Sequence, residues 1–105
     1  MKKQTKKYKL LQAELNIKYE DKVMLNGEWQ YGYTVWKGPK CMIYISLKDD
    51  DNNDLTEEEI EMTVRHELFH FMFSLLYYKT ENDNEPLVEW LARATQILNK
   101  QGLTI

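Results

Sequence analysis

The chain has 105 residues, which is enough for one small domain. Its hydrophobic content of 43% and charged content of 30% are those of an ordinary globular protein, which excludes wholesale disorder. No apolar run approaches the roughly 20 residues of a membrane-spanning helix, and no apolar segment follows the N-terminal lysines, so we expect neither a membrane anchor nor a secretory signal. A single cysteine, Cys41, cannot form an internal disulfide, and this favours a reducing, cytoplasmic setting.

The charge is unevenly distributed along the chain. The net charge is −3, but five lysines fall within the first nine positions: Lys2, Lys3, Lys6, Lys7 and Lys9. The remainder is therefore strongly acidic, and we expect residues 1–9 to be a frayed, solvated terminus. No basic stretch interleaved with aromatic residues follows, so the sequence gives nucleic-acid binding little support.

The first half of the chain has the composition of strands and turns. Asn26-Gly27 predicts a hairpin that joins a strand near Lys22–Leu25 to a second strand near Glu28–Trp36. After a turn at residues 37–40, the alternating segment Cys41–Leu47 predicts a third strand. The segment Tyr8–Ile17 fits either a short helix or a first strand.

An acidic, Asn-rich stretch separates this half from a helical second half. Thr56 and Glu59 form a capping box, which predicts a helix over Glu57–Tyr78. Apolar residues surround most of this helix, so we expect it to be buried. Asn82-Asp83-Asn84 should end it, Pro86 suits the first turn of a second helix, and Gly102 should end that helix.

The first predicted helix contains an HExxH motif at residues 66–70, which includes both histidines of the chain. Residues four apart lie above one another on a helix, so the imidazoles of His66 and His70 can converge on one metal ion. Glu67 lies beside them, where it can take a proton from a water activated by the metal. The alternative is that both histidines are core residues satisfied by hydrogen bonds alone.

A catalytic zinc ion needs a third protein ligand and an open position. Cys41 is one candidate. A better one lies in the second helix, where Glu85 and Glu89 are again four residues apart and can face the histidines. One carboxylate would bind zinc and the other would accept a hydrogen bond from a ligand imidazole. The alternative is that both glutamates face water.

These residues resemble the gluzincin arrangement of metallopeptidases, in which HExxH is followed by a helix with an acidic residue and an acidic or amide residue four positions later. The segment EPLVEWLA and the strand-rich first half are similar to small zincin-like proteins of phages and mobile elements, distantly related to ImmA/IrrE-type metallopeptidases. The resemblance implies that Glu85 is the third ligand and Glu89 orients a histidine. Because Pro86 directly follows Glu85, the two glutamates can also exchange roles.

The resemblance further implies that an edge strand beside the active-site helix pairs with an extended peptide substrate. The strand assigned to this role comprises Met42, Ile43, Tyr44, Ile45 and Ser46, and an interior position for it is equally compatible with the sequence. A tyrosine is the candidate for stabilising the oxyanion. Tyr77 follows the histidines on the same face of the predicted helix, and Tyr78, Tyr31 and Tyr33 are the alternatives.

We therefore expect an α+β domain in which a small antiparallel sheet packs on the HExxH helix and a C-terminal helix closes the site. The expected function is zinc-dependent hydrolysis of a peptide or protein substrate, in a protein encoded by a phage or mobile element. The alternative is a zincin-fold protein that binds zinc without catalysis and acts as an interaction module, since a chain of 105 residues leaves little room for substrate subsites. A third possibility is an acidic interaction module without a metal. The oligomeric state is not indicated.

Overall fold

Strand-forming residues fill the first half of the chain and helix-forming residues the second. A computed structural model describes residues 5–104. The strands are β1 (Lys6–Leu10), β2 (Ala13–Glu20), β3 (Val23–Leu25), β4 (Glu28–Gln30), β5 (Gly32–Lys37) and β6 (Lys40–Ser46), and the helices are α1 (Glu57–Leu75), α2 (Lys79–Asn82) and α3 (Glu85–Lys100). The expected α+β class is confirmed.

The main sheet is mixed, with the strand order β1-β2-β6-β5. The β1–β2 and β5–β6 pairs are antiparallel hairpins, whereas β2 and β6 run parallel, with Leu15 opposite Cys41. The expectation of a purely antiparallel sheet is wrong. After β2 the chain forms the separate β3–β4 hairpin and then enters β5 at the far edge, so that β6 returns beside β2 in the same direction.

The local turn predictions hold better than the strand lengths. Asn26 and Gly27 have positive φ angles of 53° and 80° and form the β3–β4 turn as predicted. The strand expected over Glu28–Trp36 is interrupted at Tyr31 and divided between β4 and β5. The ambiguous segment Tyr8–Ile17 contributes to two strands that meet in a turn at Leu11, whose φ is 57°.

The expectation of a frayed basic terminus is wrong for residues 6–9. These residues belong to β1, which pairs with β2 from Lys6 opposite Ile17 to Leu10 opposite Ala13. Their side chains are exposed, so the backbone ladder holds this segment in place. Lys2 and Lys3 lie outside the described residues.

One face of the main sheet packs against α1 and forms the core. Alternate residues of the central strands β2 and β6 point to this face, and those buried there are apolar. The ring of Trp36 stacks on that of Phe71, with centroids 5.5 Å apart. The buried core cluster consists of Ala13, Leu15, Ile17, Cys41, Ile43, Ile45, Ile60 and Phe71.

The starts of α1 and α3 agree with the predicted capping box and with the predicted place of Pro86. The Thr56 hydroxyl accepts a hydrogen bond from the amide of Glu59, whose carboxylate accepts one from the amide of Thr56. The side chain of Asn84 accepts a hydrogen bond from the amide of Leu87, and Pro86 lies in the first turn of α3. Gly102, with a φ of 100°, follows the end of α3.

The predicted length and burial of α1 need correction. The helix ends at Leu75 rather than at Tyr78, because Tyr77 adopts a positive φ of 61°. Its fully buried residues form a single stripe, namely Ile60, Thr63, Glu67 and Phe71, and the remaining residues are exposed or only partly covered. The expectation of burial around the whole circumference is therefore wrong, and the partly covered face leaves room for a site.

Candidate metal centre

The HExxH motif lies in the second half of α1. His66 and His70 are one turn apart, and their ring centroids are 5.0 Å apart. Their side chains are 21% and 16% exposed, respectively, so both imidazoles remain accessible from solvent. The helix thus presents two nitrogen ligands on one face, as the spacing predicts.

Glu85, the first residue of α3, meets both histidines. Its Oε2 lies 3.0 Å from Nε2 of His66, and its Oε1 lies 3.0 Å from Nε2 of His70. One ligand atom from each of the three side chains lies within 4.8 Å of the others. The structure therefore brings together the three residues that were predicted from the sequence to be metal ligands.

An oxygen atom faces the opposite nitrogen of each imidazole. Oδ1 of Asn82 lies 2.8 Å from Nδ1 of His70, and Oε1 of Glu89 lies 3.6 Å from Nδ1 of His66. Glu85 and Glu89 therefore occupy different sides of His66, the arrangement that the sequence resemblance implies. Asn82 is a residue that sequence reasoning missed, because its contact depends on how the chain turns after α1.

The two oxygen neighbours of His70 favour a cation between this ring and Glu85. A neutral imidazole has one N–H and one lone pair. Both nitrogens of His70 face acceptor oxygens, those of Asn82 and Glu85. If Nδ1 donates to Asn82, the lone pair of Nε2 points at a carboxylate oxygen, which is repulsive unless a proton or a metal ion lies between them.

Glu67 is enclosed between α1 and β5. Glu67 is 6% exposed, and the Thr34 hydroxyl donates a 2.7 Å hydrogen bond to its Oε1. Burial raises the pKa of the Glu67 carboxyl; the hydrogen bond from Thr34 and the neighbouring histidines lower it, but burial has the larger effect. Thr34 was also missed by sequence reasoning, although a polar residue at an inward-facing strand position is the signal that points to it.

Two cavities open beside the three-residue cluster, and His66 and Glu67 line both. One has a volume of about 560 Å³ and extends towards Arg93. The other, of about 530 Å³, is also lined by Glu85. A ligand can therefore reach His66 and the carboxylate of Glu67 from either cavity, and His70 from the second one.

The structure contradicts the placement of Tyr77 on the histidine face. Because α1 ends at Leu75, Tyr77 leaves the helix; it is 93% exposed and lines neither cavity. Tyr78 packs against Phe73, with ring centroids 6.5 Å apart. Tyr31, in contrast, lines the larger cavity together with His66.

Tyr33 lies at the second cavity, but its ring stacks on Tyr44 with centroids 5.0 Å apart. Since its neighbour Thr34 contacts α1, the Tyr33 side chain points to the other face of the sheet. Of the four tyrosines considered, Tyr31 thus keeps the best position for contact with a bound ligand.

Cys41 is completely buried in the core cluster and is not one of the three clustered ligands. Burial, with a smaller contribution from the charge of Glu67, raises its pKa to about 12. A thiol with such a pKa stays protonated at neutral pH, whereas zinc binds the thiolate. The structure therefore places Cys41 in the packing of the sheet.

The edge-strand assignment of residues 42–46 is wrong. They belong to β6, which lies between β2 and β5, so the equally weighted interior alternative is the correct one. The edge strand that contacts α1 is β5. The sequence could not distinguish the two strands because their order in the sheet depends on non-local pairing.

Comparison of the chain with protein-family models, with curated proteins and with solved structures finds no match. Within residues 5–104, none of the helices combines the length and the apolar character needed to cross a membrane.

Proposed function

We propose that this chain is a zinc-dependent metallopeptidase in which His66, His70 and Glu85 hold the metal ion and Glu67 is the general base. The observation that carries the proposal is the convergence of two imidazole Nε2 atoms on the two oxygens of one carboxylate. The buried Glu67 lies beside this cluster without belonging to it. That is the division of roles that metal-assisted hydrolysis requires.

The donor set fits zinc. Two imidazole nitrogens and one carboxylate are the ligands of a common type of catalytic zinc site, which leaves a fourth position open. Oδ1 of Asn82 lies within hydrogen-bonding distance of Nδ1 of His70, and Oε1 of Glu89 faces Nδ1 of His66 at 3.6 Å. A proton on each of these far nitrogens leaves the ligating lone pairs directed towards the shared position. When bound there, zinc would supply Lewis acidity for a peptide carbonyl and lower the pKa of a water to about 7.

The role of Glu67 is to take a proton from the attacking water and to pass it to the leaving amine. The hydrogen bond from Thr34 occupies Oε1 and fixes the orientation of the carboxylate, so that Oε2 is left to accept the proton. Burial raises the pKa of Glu67, which makes its carboxylate a stronger base. Both effects suit a residue that moves a proton without binding the metal.

The strand beside the site that suits an extended substrate is β5. Tyr31 and Ser46 are joined by a backbone hydrogen bond, and alternate residues along β5 continue this pairing with β6. The backbone groups of Gly32, Thr34 and Trp36 therefore point away from β6. A peptide that paired with them would pass directly beside Glu67, which contacts Thr34.

The peptidase would be cytoplasmic and encoded by a phage or mobile element. The first inference follows from the single cysteine. The second follows from the resemblance of the HExxH and EPLVEWLA segments to zincin-like proteins of that origin.

The deciding experiment combines metal analysis with turnover. Metal content is measured by mass spectrometry in the wild type, His66→Ala and Glu67→Gln, with Glu81→Gln as a matched control at an exposed position. We expect about one zinc ion per chain in all but His66→Ala. Hydrolysis of a quenched fluorescent peptide mixture should fall at least ~100-fold in Glu67→Gln and stay unchanged in Glu81→Gln.

Two results would contradict the proposal. Zinc bound at full occupancy without hydrolysis of any peptide would identify a zinc-binding protein without catalysis, which is the interaction module considered from the sequence. A folded protein without zinc, in the wild type and in His66→Ala, would leave His66 and His70 as histidines satisfied by hydrogen bonds.

A further inference from the structure

The face of the main sheet opposite α1 has a distinct composition. Trp36 and Cys41 point towards α1, so the alternate residues of β5 and β6 point the other way. The strand register places five exposed lysines on this face, which we call the open face: Lys7, Lys9, Lys18, Lys37 and Lys40. They come from all four strands, and the sheet brings them together.

The open face is positively charged in an acidic protein. The five lysines share it with Glu14 and Glu20, so these five positive and two negative charges give +3, whereas the whole chain carries −3. The pKa of Glu14 is lowered first by a hydrogen bond from Asn16 and then by the charges of Lys40, Lys7 and Lys9. Among residues 5–104, none of the five lysines forms an ion pair.

Aromatic and apolar side chains of β5 and β6 lie next to these lysines on the open face, with Tyr44 beside Lys18. Tyr33 lies opposite Tyr44, and their rings stack at 5.0 Å with an interplanar angle of 24°. Val35 lies opposite Met42 in the adjacent row. All four residues are partly exposed. The open face therefore combines an aromatic pair with neighbouring lysines.

We propose that the open face binds single-stranded nucleic acid, with the lysines on the phosphates and the Tyr33–Tyr44 pair stacked against bases. Single strands are favoured because only unstacked bases can lie against aromatic rings on a shallow sheet. A second copy of the chain is disfavoured, since two faces of +3 repel each other. An acidic peptide or an anionic membrane would use the lysines but leaves the aromatic pair without a role.

The charge contribution is tested by fluorescence anisotropy. Labelled single strands of RNA and DNA, each of about 12 nucleotides and mixed sequence, are titrated with the full chain at several salt concentrations. The face variant is Lys18→Gln/Lys37→Gln/Lys40→Gln. The matched control, Lys48→Gln/Lys79→Gln/Lys100→Gln, makes the same change in net charge at lysines that pair with acidic residues elsewhere.

We expect the face variant to bind at least about tenfold more weakly and the slope of log K against log salt to flatten by about 2, as for three lost phosphate contacts. The control variant should bind like the wild type. A difference in affinity between the RNA strand and the DNA strand is compatible with the proposal, and it shows whether the 2′-hydroxyl contributes to binding. Circular dichroism and thermal denaturation verify that both triple variants fold.

The aromatic contribution is tested by a second pair of variants. Tyr44→Leu should weaken single-strand binding roughly 5- to 100-fold, as loss of one stacked base predicts. Tyr8→Leu is the control, because Tyr8 is exposed on the opposite face of the sheet, beside Leu15. Its binding should not change.

Three results would overturn the proposal. The first is equal binding by the face and control variants. The second is the absence of binding to either single strand at low salt. The third is tighter binding to a duplex of the same sequence, to an acidic peptide or to anionic vesicles, which would assign the open face to that partner instead.

Discussion

Oδ1 of Asn82 lies 2.8 Å from Nδ1 of His70, a residue twelve positions earlier in the chain. Asn82 is itself held, because its amide nitrogen donates to the Ser74 hydroxyl near the end of α1. The amide oxygen therefore faces the imidazole, and an Nδ1–H that donates to it leaves the lone pair of His70 on Nε2. The end of α2 thus fixes the side of the ring that meets Glu85.

The first prediction concerns this contact. Asn82→Ala should weaken zinc binding about 10- to 100-fold, because His70 loses the acceptor that fixes its orientation. Asn99→Ala, the same substitution in α3 away from the cluster, should leave affinity unchanged. Affinity is measured by competition with a chromophoric chelator. Equal affinity in the two variants would mean that the contact with His70 has no role in metal binding.

The second prediction separates the two glutamates of α3. Glu85→Gln should reduce zinc affinity by more than about 100-fold, since it removes a charged ligand, whereas Glu89→Gln should cost about tenfold through the orientation of His66. The same chelator competition measures both. The opposite order would exchange the two roles and make Glu89 the ligand.

The separation of the contacting residues along the chain determines how much of the site could be predicted from the sequence. His66, Glu67 and His70 lie on one helix, so their geometry is set by its period. Glu85 required only the inference that α3 folds back on α1. Thr34 and Asn82 were missed because their contacts join separate elements, which no local pattern reveals.

The same limit explains the errors in the sheet. Alternation correctly predicted a strand where β6 lies, but nothing local indicates that β6 pairs in parallel with β2. That pairing makes β5 the edge strand and brings Lys18 and Lys40 onto one face, although they are far apart in the chain. A linear search for basic stretches therefore misses the open face.

The third prediction concerns Cys41. Because the thiol is completely buried and its pKa is raised to about 12, it should not bind the metal. Cobalt substituted for zinc should show no thiolate-to-cobalt charge-transfer absorption in the near ultraviolet. Cys41→Ser should give the same cobalt spectrum as the wild type. A charge-transfer band that disappears in Cys41→Ser would establish Cys41 as a ligand.

The fourth prediction concerns the pH dependence of stability in the metal-free protein. Burial raises the pKa of Glu67 above its ordinary 4.5. Between pH 4.5 and the pKa in the folded state, the folded protein therefore binds more protons than the unfolded protein. The contribution of Glu67 to stability therefore decreases as pH rises from 4.5 through the folded pKa. Glu67→Gln cannot ionise and should gain stability relative to the wild type over that range.

Thermal denaturation in the presence of a chelator measures this difference at a series of pH values. Glu81→Gln, at an exposed position, should follow the wild type throughout. A difference between Glu67→Gln and the wild type that stays constant or shrinks with rising pH would show that burial does not control the ionisation of Glu67.

The last prediction concerns Gly32, where β5 passes close to α1. A Cβ at this position would lie 2.5 Å from the backbone oxygen of Tyr44 and 2.9 Å from Cγ2 of Thr63. Because the Tyr44 oxygen belongs to the central strand β6, it cannot move without disturbing the sheet. Gly32→Ala should therefore lower the free energy of unfolding by ~1–3 kcal/mol, measured by urea denaturation.

Gly38→Ala provides the comparison, because Gly38 has a φ of 61° and open space around its Cα. Its cost should be limited to ~1–2 kcal/mol of backbone strain, with no effect on the site. In Gly32→Ala the displaced β5 should also carry Thr34 away from Glu67, so that peptide hydrolysis falls while zinc stays bound. Equal hydrolysis by the two glycine variants, at equal zinc content, would show that the position of β5 does not control Glu67.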